Sequence, residues 1–137
     1  MNWQASAGTE LAVPGIAEPE LESRIKESTS GAAGDWLCAW CLSHVANEQD
    51  RFPFDGKDEF TFSNPKGIRF AIITFSQTLG CRQTGTPALE FTWFPGHAWA
   101  YCQCDRCGQH LGWFYTGAND FVGLIKERIV RGLFVRN

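Results

Sequence analysis

Basic charge is in short supply in this chain. Twelve Lys and Arg stand against fifteen Asp and Glu, giving a formal net charge of −3. A nucleic-acid-binding domain ordinarily carries a basic excess on one face, so that class is disfavoured. Long apolar runs are missing as well. No stretch approaches the roughly 20 residues that a membrane-spanning helix needs. The opening residues MNWQASAGTELAVPG have no basic start followed by an apolar run, so no secretory signal is read there and the expected location is cytoplasmic. Helix-period patterning is scarce. In PELESRIKES only Leu21 and Ile25 form an apolar pair at helical spacing, too little to hold an isolated helix. Without an export signal, the six cysteines read as candidate metal ligands before disulfides.

What is present is a chain of 137 residues with 44% hydrophobic and 20% charged residues, the profile of one soluble domain. Two parts are expected. Residues 1–34 hold Pro14, Pro19, a charged patch and the run Ser28 to Gly34, and read as a flexible arm. Residues 35–137 read as one all-β domain. Glu59 to Phe62 alternates polar and apolar residues. Asn64-Pro65-Lys66-Gly67 is turn chemistry, with Pro fixing φ and Gly permitting a positive one. Strands are expected over Ile68–Phe75, Leu89–Phe94, Ala98–Cys102 and Gly112–Thr116. Phe121 to Val130 suits either a helix or an irregular strand.

One local duplication carries chemistry. CAWCLSH (38–44) and CDRCGQH (104–110) each contain Cys-x-x-Cys. A tight turn at that spacing points two sulfurs at one ion, and two such turns supply four thiolates. Cys38, Cys41, Cys104 and Cys107 are therefore expected to hold one structural Zn2+ per chain, closed to substrate. The pairs lie far apart in sequence, so the metal must join two distant parts of the domain. His44 and His110 follow their knuckles by three residues, but four thiolates already fill the shell. Cys102 reads as a small buried residue, and Cys81, beside Arg82, as an inert thiol.

Trp93, Trp99 and Trp113 crowd around the second knuckle, with Tyr115 nearby. Core packing accounts for any one of them. Three around a rigid metal turn make a small aromatic pocket, whose walls suit a ring with apolar faces.

The stretch WFPGHAWAYCQCDRCGQHLGW, the Cys38-Ala-Trp-Cys41 knuckle and the Asn64-Pro65-Lys66-Gly67 turn resemble the thalidomide-binding (CULT) domain family of cereblon. The resemblance covers roughly residues 36 to 131. It implies a β-tent, two antiparallel sheets pinned at the zinc. It implies that Trp93, Trp99 and Trp113 form a cage closed by Tyr115. It further implies that the Phe91 carbonyl and the Trp93 NH read an imide edge, and that Asn64 lies on the facing loop. Phe91 stands where animal members have His, and His97 where others have Tyr, at the outer edge of the pocket. The chain looks like the single-domain, bacterial form, without the Lon-like domain or a ligase-adaptor region.

The function so implied is non-catalytic binding of cyclic imides such as glutarimide, succinimide and thalidomide-type drugs, or of uracil- and uridine-like rings. Cyclic imides at protein C-termini are further candidate partners, and neither nucleic acid nor membrane is expected. The alternative is an enzyme of the methionine sulfoxide reductase B type, which shares the zinc-pinned plan. It needs a nucleophilic Cys late in the chain, and FVGLIKERIVRGLFVRN has none.

Overall fold

The computed structural model describes residues 34–132. The expected arm, apart from Gly34, lies outside the described residues. Nine strands follow in order: β1 (Asp35–Cys38), β2 (His44–Asn47), β3 (Glu59–Ser63), β4 (Arg69–Phe75), β5 (Cys81–Ala88), β6 (Ala98–Cys104), β7 (His110–Thr116), β8 (Phe121–Ile125) and β9 (Ile129–Arg131). They build a three-stranded sheet, β2-β1-β9, and a six-stranded sheet, β3-β4-β8-β7-β6-β5. Every pairing is antiparallel. Helical structure among the described elements is confined to single 3-10 turns at Glu48–Asp50 and Lys126–Arg128. The all-β expectation of two antiparallel sheets holds.

The large sheet is apolar on both faces, and that decides where the site can lie. Strand residues alternate between faces. On β4, Ile73 and Phe75 join Trp36, Val45, Leu111, Val122, Leu124 and Ile129 in a core between the two sheets. Phe70 and Ile72 point the other way, into a second core with Phe94, Trp99, Trp113, Tyr115 and Phe121. Phe52, Phe54, Phe60, Phe62 and Trp93 cover this second core. β8, FVGLI, is buried at all five positions, as a strand covered on both faces must be.

Two segments depart from the sequence expectation. Leu89–Phe94 is not a strand. Phe91 takes a left-handed φ of 61°, which breaks the extended run. The strand lies upstream, in β5. Its sequence, CRQTGTPA, is polar because it is an exposed edge strand with no apolar face to display. The ambiguous 121–130 stretch is strand, 3-10 turn and strand, its apolar residues being shared between two sheets.

Candidate metal centre and aromatic cluster

The two knuckles repeat one geometry. In the first, Leu42 NH donates to Cys38 O (2.8 Å) and Cys38 NH to Ser43 O (2.9 Å). In the second, Gly108 NH donates to Cys104 O (2.9 Å) and Cys104 NH to Gln109 O (2.8 Å). The residue after the second cysteine is left-handed in both, Leu42 at φ 62° and Gly108 at φ 82°. Glycine adopts that conformation freely, whereas Leu42 adopts it at a cost. Such a turn aims both sulfurs to one side. Because Cys38 ends β1 and Cys104 ends β6, the four sulfurs meet where the two sheets converge.

All four Sγ atoms lie within 4.8 Å of one another. Cys38 and Cys107 are 3.6 Å apart, and Cys41 and Cys104 3.7 Å. This cluster can hold a metal ion. Ser43 Oγ bridges two of its members, 3.2 Å from Cys41 Sγ and 3.4 Å from Cys104 Sγ. Burial opposes the Cys104 thiolate, but hydrogen bonds from Ser43 and from the NH groups of Cys107 and Arg106 outweigh it and bring the thiol down to about 7. Burial pushes the Cys38 thiol the other way, far above its ordinary value.

Neither knuckle histidine points its hydrogen bonds at the sulfurs. His44 Nε2 meets Asn47 Oδ1 at 2.8 Å. His110 Nε2 meets Gly112 O at 2.9 Å, and its ring stands edge-on to Tyr101 and Trp113. Burial, then the nearby Arg128 guanidinium, push His110 down to about 4, so the ring is neutral near pH 7.

The expected cage residues share the second core. Trp93 and Trp113 meet edge to face, with centroids 5.1 Å apart at 81°. Trp93 stacks on Phe62 at 5.0 Å, and Phe70 stands edge-on to Trp113 at 5.6 Å. Phe62 and Phe70 are aromatic neighbours that sequence reasoning missed, because they come from strands remote in sequence; His110, on β7 with Trp113, was read in the sequence only against the metal. Trp99 sits opposite Tyr115 in the β6–β7 register, and its indole NH donates to Glu90 O at 2.8 Å. Tyr115 packs on Phe94 and Phe121 and is 1% exposed. Its burial raises the phenol well above the usual range. Trp113 is 0% exposed and Phe91 47%.

Asn64 caps the facing turn. Its Oδ1 accepts from Lys66 NH (2.8 Å) and Ile68 NH (2.9 Å), while its Nδ2 is buried without a hydrogen-bond partner. The turn reaches the cluster through the adjacent Ser63, whose carbonyl accepts the Trp93 indole NH at 3.3 Å. His97 is not at an outer edge. It is buried, edge-on to Phe54 and Phe121, with Nδ1 on Pro95 O at 3.0 Å. The Pro95-Gly96 turn folds the ring inward under the loop.

Curated relatives share this region. Protein cereblon of Drosophila simulans is 32% identical over 115 residues, 76% of this chain and 18% of that protein. Its Drosophila melanogaster counterpart is 32% identical over 104 residues, 72% of this chain. The Gallus gallus protein reaches 38% over 55 residues, 40% of this chain and 12% of its own length. This is a cereblon-family domain. The chain spans less than a fifth of the length of these relatives. No protein-family model matches it. Among the described residues no helix is long and apolar enough to cross a membrane.

Proposed function

We propose that the domain is a non-catalytic receptor for small cyclic imides and uracil-like rings, built on a structural zinc. The observation that carries this reading is the buried, unpaired Nδ2 of Asn64, one residue from the carbonyl that holds Trp93. An unpaired buried donor costs about 1–3 kcal/mol, and a ligand carbonyl would remove that cost. Trp93, Trp99 and Trp113 would supply indole faces for the ring's methylenes, with Tyr115 opposite Trp99 in the β6–β7 register. Phe91 holds a left-handed backbone with its side chain turned outward, which suits a main-chain reader of the imide NH. Trp113 is fully buried behind Trp93, so a ligand that reaches it must displace the Trp93 loop.

Zinc is the metal that the donor set suits best. Four thiolates at about 2.3 Å from a tetrahedral centre stand about 3.8 Å apart, close to the 3.6 and 3.7 Å separations of the two sulfur pairs. With all four positions taken by protein, the ion supplies structure and no open coordination site. Cys38, Cys41, Cys104 and Cys107 would hold it, and Ser43, with its one hydroxyl proton, would donate to the thiolate of Cys41 or Cys104.

The reading is tested by calorimetry of metal-loaded protein against glutarimide, succinimide, uracil, a peptide ending in a cyclic imide, and N-methylglutarimide. Glutarimide is expected to bind. N-methylation is expected to abolish binding, since it removes the donor and sets a methyl against the Phe91 carbonyl. Equal binding of the two would rule out backbone reading, and no heat from any ring would overturn the function.

A further inference from the structure

One two-residue turn stands open to solvent with reactive chemistry at its tip. Phe54 and Lys57 form an antiparallel bridge, with Phe54 NH on Lys57 O at 2.8 Å and Lys57 NH on Phe54 O at 3.1 Å. Between them Asp55 and Gly56 both take left-handed backbones, at φ 57° and 82°. A tight turn with positive φ at both central residues favours Asp-Gly. Asp55, Gly56 and Lys57 are exposed. A Cβ built on Gly56 meets nothing within 4 Å, so the space beside its backbone is open. Among the described residues, no hydrogen bond holds the Gly56 NH or the Asp55 carboxylate, and no cation pairs with Asp55. Asp55-Gly56 is also the one Asp-Gly or Asn-Gly step in the sequence. Asp35, Asp50, Asp58, Asp105 and Asp120 precede Trp, Arg, Glu, Arg and Phe.

We propose that Asp55 is a modification site, where the Gly56 nitrogen closes on the side-chain carboxyl to give a succinimide and then L-isoaspartate. The Gly56 amide nitrogen gives up its proton and attacks Cγ of the protonated carboxyl. The N–Cγ bond forms, a Cγ–O bond breaks, and one water leaves. Glycine permits the approach, since it has no side chain to crowd the attacking nitrogen. Water then opens the ring. Attack at Cγ restores aspartate. Attack at the main-chain carbonyl carbon breaks its bond to the Gly56 nitrogen, and the chain then runs through Cγ as isoaspartate. One water leaves and one enters, so no oxidant or reductant is consumed. The ring nitrogen carries the chain and has no NH, so this step is independent of the ring-receptor reading. The isoaspartyl link adds one carbon to the main chain, and the two hydrogen bonds of the Phe54–Lys57 bridge then no longer close in register. The change would loosen Phe54, which stands edge-on to Phe94 at 4.9 Å and to His97 at 5.5 Å.

The test holds the full, metal-loaded chain at neutral pH in water enriched in heavy oxygen. Peptide maps then locate the label, and an isoaspartate-specific carboxyl methyltransferase with a radiolabelled methyl donor reports the product. Wild type is expected to gain heavy oxygen and accept methyl groups at residue 55, with Asp35, Asp50, Asp58, Asp105 and Asp120 unchanged. Asp55→Asn keeps the turn and is expected to react faster, losing ammonia in place of water. Asp55→Glu keeps the charge but would need a six-membered ring, and is expected to lose both signals. No label at Asp55 in the wild-type chain, or label spread evenly over all the aspartates, would each overturn the proposal. The wild-type map decides the matter even where a variant fails to fold.

Discussion

Trp93 and Phe91 separate side-chain from main-chain recognition within three residues of one loop. Trp93 offers a ring face that stacks on Phe62 and meets Trp113, so truncating it removes a wall. Trp93→Ala is expected to weaken glutarimide binding by about 2 kcal/mol or more, on the order of 30-fold, as loss of an aromatic anchor usually does. Phe91→Ala is expected to cost under about 1 kcal/mol, because its exposed side chain makes way for the backbone beneath. Calorimetry of both variants, with metal content held normal, reads the difference. His110 carries a separate prediction. Its folded pKa of about 4 lies below the ordinary histidine value of 6.5. Between those values the unfolded chain takes up a proton that the folded ring refuses, so stability falls as pH drops from 6.5 to 4. The full loss is about 3 kcal/mol and stops below pH 4. His110→Gln lacks this component, and urea melts of both proteins across that window should converge as pH falls. Parallel curves would refute the assignment.

At the scale of elements, β7 and β8 approach too closely for a side chain between them. A Cβ on Gly112 would run into the Gly123 carbonyl oxygen, which belongs to a strand and cannot swing away. Gly112→Ala is expected to cost at least about 3 kcal/mol, enough to deplete folded protein. Gly96 differs. Its φ of 82° favours glycine, but a Cβ there meets nothing within 4 Å. Gly96→Ala should cost only about 1–2 kcal/mol, the penalty of a left-handed residue with a Cβ. Thermal melts of the pair distinguish steric overlap from backbone conformation. The close approach matters to the site, since Trp113 follows Gly112 on β7 and faces Gly123 in register.

For the whole molecule, the four-cysteine cluster that could hold a metal is the joint between the sheets. One knuckle leaves the small sheet and the other the large one, and residues 42–103 lie between them. Closing so long a span costs chain entropy, which a metal bound at the cluster would offset. Burial raises the Cys38 thiol above its ordinary pKa, and a metal ion at the cluster would favour its thiolate. Chelation is therefore expected to abolish the β-sheet circular dichroism. Cys104→Ser is expected to leave little soluble chain, and elemental analysis of wild type to return about one zinc per chain. A folded, metal-free protein would contradict the structural role.

Much of this was already legible in the residues. Paired Cys-x-x-Cys spacing is local chemistry, because each knuckle closes on hydrogen bonds within six residues, and the clustering of the four cysteines follows from it. The tryptophans around the Pro95-Gly96 turn were equally visible, as was the all-β pattern wherever strands alternate. The rest is set by partners distant in sequence. β5 was missed because an edge strand needs no apolar face, and Leu89–Phe94 was misread because nothing in its composition shows the left-handed turn at Phe91. Phe62 and Phe70 join the tryptophans only through β3 and β4. The inward fold of His97, the unpaired amide of Asn64 and the pairing of Cys81 with Cys104 arise from register and packing. Spacing along a chain encodes short turns; which side chains face one another across a sheet is decided only when the strands pair.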